Sequence, residues 1–538
     1  MSCHEVCPLK SQVLKKSLCT GCGTCIGVCP TGALSWKKEK IIVDEKKCIS
    51  CGLCTKVCAG KGFDYPLFWK KLFGKSRVSF DLGHLEGVYK GYSLNQRIRE
   101  NAASGGLVTE LLIYLLQTKK IDGAVQVRMN GTEPEVFIAT SPEEIKLSAQ
   151  SKYRIFPTNK VLKAVMEFKG KVAYVGLPCQ VQGLRLATEK MPEIKEKIVA
   201  VFSLFCGFNM KAQATKYLVK NTHLKNIQKI EYRAKENGQT GFRATDENGK
   251  TVFFEKHGHV FLNPLCCPKR CLLCPDLTGE FSDASFGDVW EEKGGWTRVL
   301  VRHKKVEKWL FEMQERGDIH LAPSCPDDIF KTQKQLINYK KRGIGKRLAM
   351  SRYKPDFGMD IPEWNGGIFY RILKILRFPL IRFGILLFPL KFYEKLSRFL
   401  RKSCGGNGEF VRYLFWGVIT VLFSFISYVL FSLGMDYRIA NICSIVLTKV
   451  FAYLTNKFFV FKSKTKGVKK TVAELFRFAL SRVFSGVVDF FGLILLVRYF
   501  SLNDYVGKGL MIVFVTLLNY ILSKKAVFLR GREAKNNV

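Results

Sequence analysis

Acidic residues are scarce in this chain of 538 residues: 45 Asp and Glu stand against 86 Lys and Arg, a formal net charge of +41. So large an excess of base points to a polyanion or an anionic surface as neighbour. No recognisable nucleic-acid motif accompanies the charge, so nucleic acid is not an expected partner. Many of the basic residues flank apolar spans, where the positive-inside rule expects them, and an anionic membrane surface is the expected partner. Nor is a secretory leader expected from the start, where Met1 to Lys16 is polar and broken by Pro8. The 19 Cys are concentrated in the first half, in runs suited to metal, so a reducing cytosolic setting is expected for that half. The length excludes a single core, and about three domains are expected.

What is present begins with spacing. Cys19, Cys22, Cys25 and Cys29 form one C-x2-C-x2-C-x3-C run, and Cys48, Cys51, Cys54 and Cys58 repeat it after a short strand-forming piece, Lys40 to Asp44. This is the ligand pattern of a two-cluster bacterial-type ferredoxin module, in which the fourth Cys of each run serves the other cluster. Cluster one would take Cys19, Cys22, Cys25 and Cys58; cluster two would take Cys48, Cys51, Cys54 and Cys29. Gly21, Gly23, Gly27 and Gly52 let the backbone turn around them. A zinc ribbon or disulfide scaffold needs two C-x2-C pairs rather than two runs of four.

Residues 60 to 90 read as a basic linker, with Lys70, Lys71, Lys75 and Arg77. Beyond it the pattern is that of a mixed α/β domain. Helix is expected over Leu107 to Gln117, Lys160 to Phe168 and Gln180 to Thr188. Strands are expected at Ala124 to Met129, Glu135 to Ala139, Val172 to Gly176 and Lys197 to Phe205. A hairpin over Ile227 to Lys256 is expected to turn at Asp246 to Gly249.

Two thiols, Cys179 after Gly176-Leu177-Pro178 and Cys206 after Phe205, would emerge at the carboxyl edge of the sheet, where ligands bind. Downstream, Cys267, Cys271 and Cys274 stand at x3 and x2 spacing. Three ligands need a fourth, and either Cys179 or Cys206 would complete a third cluster; four-Cys zinc is the alternative. Cys266 reads as a bystander, while Lys269 and Arg270 would hold positive charge nearby. Ser104-Gly105-Gly106 at a helix start suits a phosphate or is a simple helix start. Lys152 either adds charge to that phosphate or is solvated, and Tyr153 either stacks on a flat ring ligand or fills the core. Asp283 and Asp288 either bind a ligand or act in proton transfer, or cap turns. No catalytic acid is assigned.

Ser104-Gly105-Gly106, Ser151-Lys152-Tyr153, Gly176-Leu177-Pro178-Cys179-Gln180, Phe205-Cys206-Gly207 and the block from Cys267 to Asp288 resemble the family of coenzyme F-420 hydrogenase/dehydrogenase beta subunits. The resemblance covers roughly residues 15 to 345. It implies an iron–sulfur flavoenzyme with bound FAD, cofactor-binding residues Ser104, Gly105, Gly106, Lys152 and Tyr153, and electron exchange with a deazaflavin, ferredoxin or another acceptor. Members are not all users of coenzyme F-420, so the family name does not fix the substrate.

Four apolar spans close the chain: Leu414 to Gly434, Ile439 to Phe461, Phe478 to Phe500 and Val506 to Leu529. Before them, Gly366 to Ser403 is apolar and basic, with Arg371, Lys374 and Arg377 spaced by three and Pro379 and Pro389 as breaks; a helix lying in the headgroup layer is expected. Lys462 to Lys470 is basic, as are the flanks, so both termini are expected on the cytoplasmic side of the cell membrane. Lys457 to Phe461 and Lys524 to Phe528 close the second and fourth spans alike, which suggests an internal duplication. Lys449, Lys457 and Arg482 suit a lipid-linked phosphate or an internal ion pair with Asp489. Tyr453 to Phe461, with Arg412-Tyr413 and Gly417, resembles the GtrA-like family, which implies movement of polyprenyl-phosphate-linked sugars in cell-surface polysaccharide synthesis.

The expected fold is therefore multidomain: a small α+β ferredoxin-like module (10–65), a mixed α/β redox domain (80–345), a basic interfacial linker (346–407) and an all-α four-helix transmembrane bundle (408–530). The expected function is that of a membrane-tethered iron–sulfur flavoprotein oxidoreductase with two 4Fe-4S clusters, a third, and FAD. The alternative is a GtrA-like translocator of lipid-linked sugar with an accessory redox domain.

Overall fold

The computed structural model describes residues 7–75, 78–292, 294–361, 437–461, 468–498 and 504–528, with isolated residues between 377 and 427. The chain divides into two compact units, Met1–Glu394 and Lys395–Val538.

The first unit opens with a helical turn, Lys10–Leu14, whose Val13 packs with Cys7, Leu9, Leu34 and Ile41 in a small core. Strands β1 (Leu34–Lys37) and β2 (Lys40–Val43) form an antiparallel hairpin. Gly23 at φ 85° and Gly52 at φ 72° start the short helices Thr24–Gly27 and Leu53–Lys56 from a left-handed conformation that favours glycine. At Gly23 a side chain is also barred by contact, since an added Cβ would lie 2.6 Å from Pro157 Cβ.

The stretch expected as a basic linker is partly a docked helix, Tyr65–Phe73. Tyr65, Phe68 and Trp69 share one face and are buried, while Lys70 and Lys71 point outward. The ring of Phe281 lies 4.5 Å from that of Phe63 and 4.7 Å from that of Tyr65. Reading the lysines as a linker overlooked the aromatic spacing of i, i+3 and i+4.

Strands β3 (Gly87–Ser93), β4 (Gly123–Asn130), β5 (Glu133–Ala139), β6 (Val172–Gly176) and β7 (Ile198–Leu204) follow. Then come β8 (Ile227–Glu236), β9 (Gln239–Asp246), β10 (Thr251–Glu255), β11 (Ala284–Asp288), β12 (Thr297–Val301) and β13 (Ile319–Pro323). Eight of them make one sheet in the order β13-β3-β12-β11-β7-β6-β4-β5. Its centre, β11-β7-β6-β4, is parallel, and both flanks are antiparallel. The parallel strands are Val- and Ala-rich and largely buried, as strands covered on both faces must be. One face packs against Leu107–Gln117, through Leu107, Leu111 and Leu115; another core gathers Val181, Leu184 and Phe281.

A second sheet, β10-β9-β8, is a three-stranded meander rather than one hairpin. Besides the expected turn at Asp246 to Gly249, the chain reverses at Asn237-Gly238, with φ 48° and 73°. Positive φ at both central positions is what a two-residue hairpin turn demands, and Asn-Gly is its strongest short-range signal.

In the second unit the described helices are Tyr437–Thr455, Val468–Arg498 and Asp504–Leu522. Two of them run on into π-helical ends, Asn456–Val460 and Ser523–Phe528. Among the described residues no helix is long and apolar enough to cross a membrane. Phe476, Leu480, Val483, Phe484, Phe490 and Phe491 nevertheless stand exposed on Val468–Arg498. Apart from scattered positions, the first expected span and the interfacial stretch from Gly366 to Ser403 lie outside the described residues. Arg377, one of the scattered positions, donates to the Sγ of Cys267 at 3.1 Å.

Candidate redox centres

Two cavities in the opening module are lined by cysteine. One is lined by Cys19, Cys22, Cys25 and Cys58 with Leu9, Val13, Ile41 and Val57 around them. The other is lined by Cys29, Cys48, Cys51 and Cys54. Each run brings three thiols to one cavity, the last of them on a short helix, and its fourth lines the other cavity. Cys7, to which no role was given on sequence grounds, also lines the second cavity. Among the described residues no group of three or more His, Cys, Asp or Glu converges as ligands of a single ion would; the thiols surround a volume instead.

Burial, reinforced by the neighbouring thiols, pushes the Cys19 and Cys54 thiols up to about 12 and raises Cys25 well above the usual thiol range. Crowded buried thiols are poor thiolates on their own. A positively charged iron core offsets that penalty, so this donor set suits iron–sulfur clusters.

A third cavity lies where β6 and β7 end. It is lined by Cys179, Cys206, Cys271 and Cys274, with Arg270, Asp276 and Lys340. Both strand-end thiols are therefore present, where one was expected. Cys267 does not line this cavity: its thiol donates to Pro264 O at 3.4 Å and faces Arg377. The short helix Lys269–Leu273 carries Cys271 to the cavity, ends at Cys274, and leaves Cys267 before its start. Cys266 is buried in a separate apolar core. Burial pushes Cys206 and Cys271 up to about 12. Lys269 is exposed, but buried Arg270 donates to Gly60 O at 3.0 Å and to Leu273 O at 2.8 Å, tying the opening module to the third cavity. Lys340 Nζ donates to Asp276 O at 2.8 Å. Although burial opposes it, the nearby Cys274, Cys206 and Cys271 raise the Lys340 ammonium above its ordinary value.

The first and third cavities adjoin. Thr20 lines both, and the charges of Cys22 and Cys179 act on one another.

Ser104, Gly105 and Gly106 sit beside β12. Gly106, at φ 83°, caps Leu107–Gln117. The Gly105 N–H donates to Thr297 Oγ1 at 2.8 Å, so that donor is engaged within the fold. Positive charge at this loop comes instead from β8: Lys235 Nζ donates to Ser104 O at 3.0 Å, and Arg233 Nη2 to Ala103 O at 3.0 Å. Arg233 also donates to Asp288 Oδ2 at 2.7 Å, and Tyr153 is among the groups whose charge acts on it. Lys256 Nζ lies 3.7 Å from the ring centroid of half-exposed Trp290; burial and then Arg233 push it down to about 8. Lys152 is held elsewhere: its ammonium donates to Ala149 O and Gln150 O at 2.7 and 2.9 Å, and burial pushes it down to about 7. Asp283 is structural, paired with Arg185 at 3.0 Å and Lys305 at 2.9 Å. Sequence spacing could not find Arg233, Lys256 or Trp290, because no motif joins them.

In the second unit, Lys457 Nζ lies 3.3 Å from Glu474 and donates to Tyr453 OH at 3.2 Å. Lys524 Nζ donates to Tyr520 OH at 3.3 Å, repeating that geometry in the other π-helical end. Arg482 donates to Ser523 Oγ at 2.9 Å and is a charged neighbour of Lys449.

Family models match four segments. Residues 18–61 match a 4Fe-4S dicluster domain. Residues 88–163 and 169–326 match the N-terminal and C-terminal parts of the coenzyme F-420 hydrogenase/dehydrogenase beta subunit. The beta subunit of the coenzyme F-420 hydrogenase of Methanococcus voltae is 30% identical over 300 residues, covering 52% of this chain and 99% of the relative. The chain belongs to the family of coenzyme F-420 hydrogenase/dehydrogenase beta subunits. Another relative, one of the subunits of the F(420)H(2) dehydrogenase of Methanosarcina mazei, is 26% identical over 353 residues, 62% of this chain and 93% of the relative. The beta-subunit part is joined to a segment, 412–528, that matches the GtrA/DPMS transmembrane domain. An uncharacterized membrane protein of Bacillus subtilis is 34% identical over 123 residues, 22% of this chain and 97% of the relative. These matches support an oxidoreductase with 4Fe-4S clusters and associate the C-terminal unit with membranes.

Proposed function

We propose that this chain is a membrane-tethered iron–sulfur flavoprotein. In this reading, Cys19, Cys22, Cys25 and Cys58 hold one 4Fe-4S cluster, and Cys29, Cys48, Cys51 and Cys54 hold a second. Cys179, Cys206, Cys271 and Cys274 hold a third, with Cys267 as a supporting residue. The observation that carries the reading is that Thr20 lines both the first and the third cavity, so one-electron centres held there would be neighbours. The clusters supply one-electron transfer, and FAD supplies exchange between single electrons and hydride.

The residues of this chain would act by charge and shape. Arg233, Lys235 and Lys256 offer positive charge to a phosphate-bearing cofactor beside Ser104, Gly105 and Gly106, while Trp290 and Tyr153 offer flat rings. Asp288 holds Arg233 in place. The soluble partner would be a deazaflavin such as coenzyme F-420, as the names of the relatives suggest, or a ferredoxin. The outward Phe, Leu and Val side chains of Val468–Arg498 suit hydrocarbon, and the redox half and both termini would lie on the cytoplasmic side.

The test is anaerobic purification followed by titration. We expect about four iron atoms for each cluster, releasable FAD, and bleaching of the flavin band by reduced coenzyme F-420. Zinc in place of iron, or a preparation without flavin, overturns the reading.

A second reading is favoured by Lys449 and Arg482, two cations whose charges act on one another. Two adjacent cations suit an anionic headgroup, so the C-terminal unit would move a polyprenyl-phosphate-linked sugar for cell-surface polysaccharide. Replacing either by Ala would then stop lipid-linked sugar movement in vesicles and spare flavin reduction.

A further inference from the structure

Five thiols, not four, line the second cavity of the opening module: Cys7, Cys29, Cys48, Cys51 and Cys54. A four-iron cube has four iron corners and needs four protein thiolates. The repeated run supplies a complete set without Cys7, so the fifth thiol is surplus to the ferredoxin pattern.

Its placement is firm. Cys7 is 2% exposed and packs with Leu9, Val13 and Ile41. Its carbonyl accepts the Lys10 N–H at 2.9 Å, which anchors the residue at the start of the helical turn Lys10–Leu14. Its side chain lines the cavity together with Cys48 and Cys54, two of the three ligands that the second run would provide. Cys29 reaches the same cavity from the far side of the sequence pattern. It follows the helix Thr24–Gly27, and its thiol lies 3.8 Å from the exposed Thr31 hydroxyl. Cys29 is half-buried and Cys7 is buried. The two candidates for the fourth position thus differ in access to water.

We propose that Cys7 is an alternative fourth ligand of the second cluster, able to take the place of Cys29. In the exchange the iron–sulfur bond to Cys29 breaks as a bond to Cys7 forms. The proton leaves the Cys7 thiol and ends on Cys29, and no electron is gained or lost. A cluster carried by Cys7 would sit with a drier fourth ligand, and burial is one of the factors that set cluster potential. The inference rests on residues 18–61 holding two clusters, and it concerns one ligand position only.

The test uses the full chain, purified anaerobically, as Cys7→Ala, Cys29→Ala and the double variant, with iron content and the low-temperature electron paramagnetic resonance of the reduced protein as readouts. Each single variant should keep its full iron content, and the two should show different second-cluster signals. The double variant should lose about four iron atoms while the first-cluster signal persists. If either single variant loses as much iron as the double, the two thiols do not share the position and the proposal fails. Loss of both module signals from the wild-type chain would instead overturn the cluster reading itself. Cys7→Ser guards against a packing artefact: an oxygen ligand shifts the spectrum of any cluster it binds, and a spectrum indistinguishable from wild type in the Cys7→Ser, Cys29→Ala chain overturns the proposal.

Discussion

The opening module and the third cavity solve the same problem with different materials. The module builds its cavities from two short runs, two left-handed glycines and apolar neighbours such as Val13, Ile41 and Leu53. The third cavity gathers Cys179, Cys206, Cys271 and Cys274 from two strand ends and a helical turn, and sets Arg270, Asp276 and Lys340 among them. Thiols close in sequence need little tertiary help, whereas thiols spread along the chain depend on the sheet. Buried charge beside the third set also gives it a means of adjusting electron affinity that the apolar cavities lack.

The largest effect should come from removing a thiol at the third cavity. Cys206→Ala should cost about four iron atoms and leave both signals of the opening module intact, measured by iron analysis and electron paramagnetic resonance. Cys267→Ala should keep the iron, because its thiol faces Pro264 and Arg377 instead. If those two results were reversed, the C-x3-C-x2-C spacing would outweigh the geometry.

That contrast also marks what the sequence made legible. The grouping of the module's thiols around two cavities could be written down from spacing, because each run sets three thiols within a few residues and the pattern takes the fourth from the other run. The helix Leu107–Gln117 and strand β6 stand where periodicity put them. The third set was only half legible: both strand-end thiols were expected at the carboxyl edge of the sheet, but local spacing favoured Cys267 and left room for only one of them, since it could not show that β6 and β7 are adjacent strands. Cys7 was missed for lying outside the runs, although an unassigned Cys just ahead of a cluster motif was a usable signal. The Asn237-Gly238 turn was overlooked although a single hairpin would have needed unusually long strands. Arg233 and Trp290 carried no pattern, since they meet only in the folded sheet. In the second unit the likeness of Lys457 to Phe461 and Lys524 to Phe528 reappears as matching π-helical ends, each with a lysine on the tyrosine four residues earlier.

A smaller effect should follow from the charge beside the third cavity. Lys340→Gln keeps a donor for Asp276 O but removes the cation. The midpoint potential of the third centre should fall, by on the order of 50–100 mV if a unit charge acts across several ångströms at an effective dielectric near 20. Potentials of the two module centres should hardly move. Redox titration followed by electron paramagnetic resonance resolves the three. An equal shift at all of them would mean that Lys340 acts through the fold and not through its charge.

The smallest effect is on pH dependence, and it lies in the same buried network. Glu280 pairs with Lys341, and both are buried. Burial nevertheless pushes the Glu280 carboxyl up to about 7 against the pull of Lys341. A carboxyl whose folded pKa exceeds its unfolded value binds more protons in the native state. Its contribution to stability is therefore complete below the unfolded value and is lost as pH rises through about 7. The thermal midpoint should decline between pH 5.5 and pH 8, and Glu280→Gln should flatten that decline. The module offers the control: the residues around its two cavities include no carboxylate, so loss of its cluster signals should not track the same titration. A wild-type midpoint that instead rises across this window would show that the Lys341 ion pair outweighs burial.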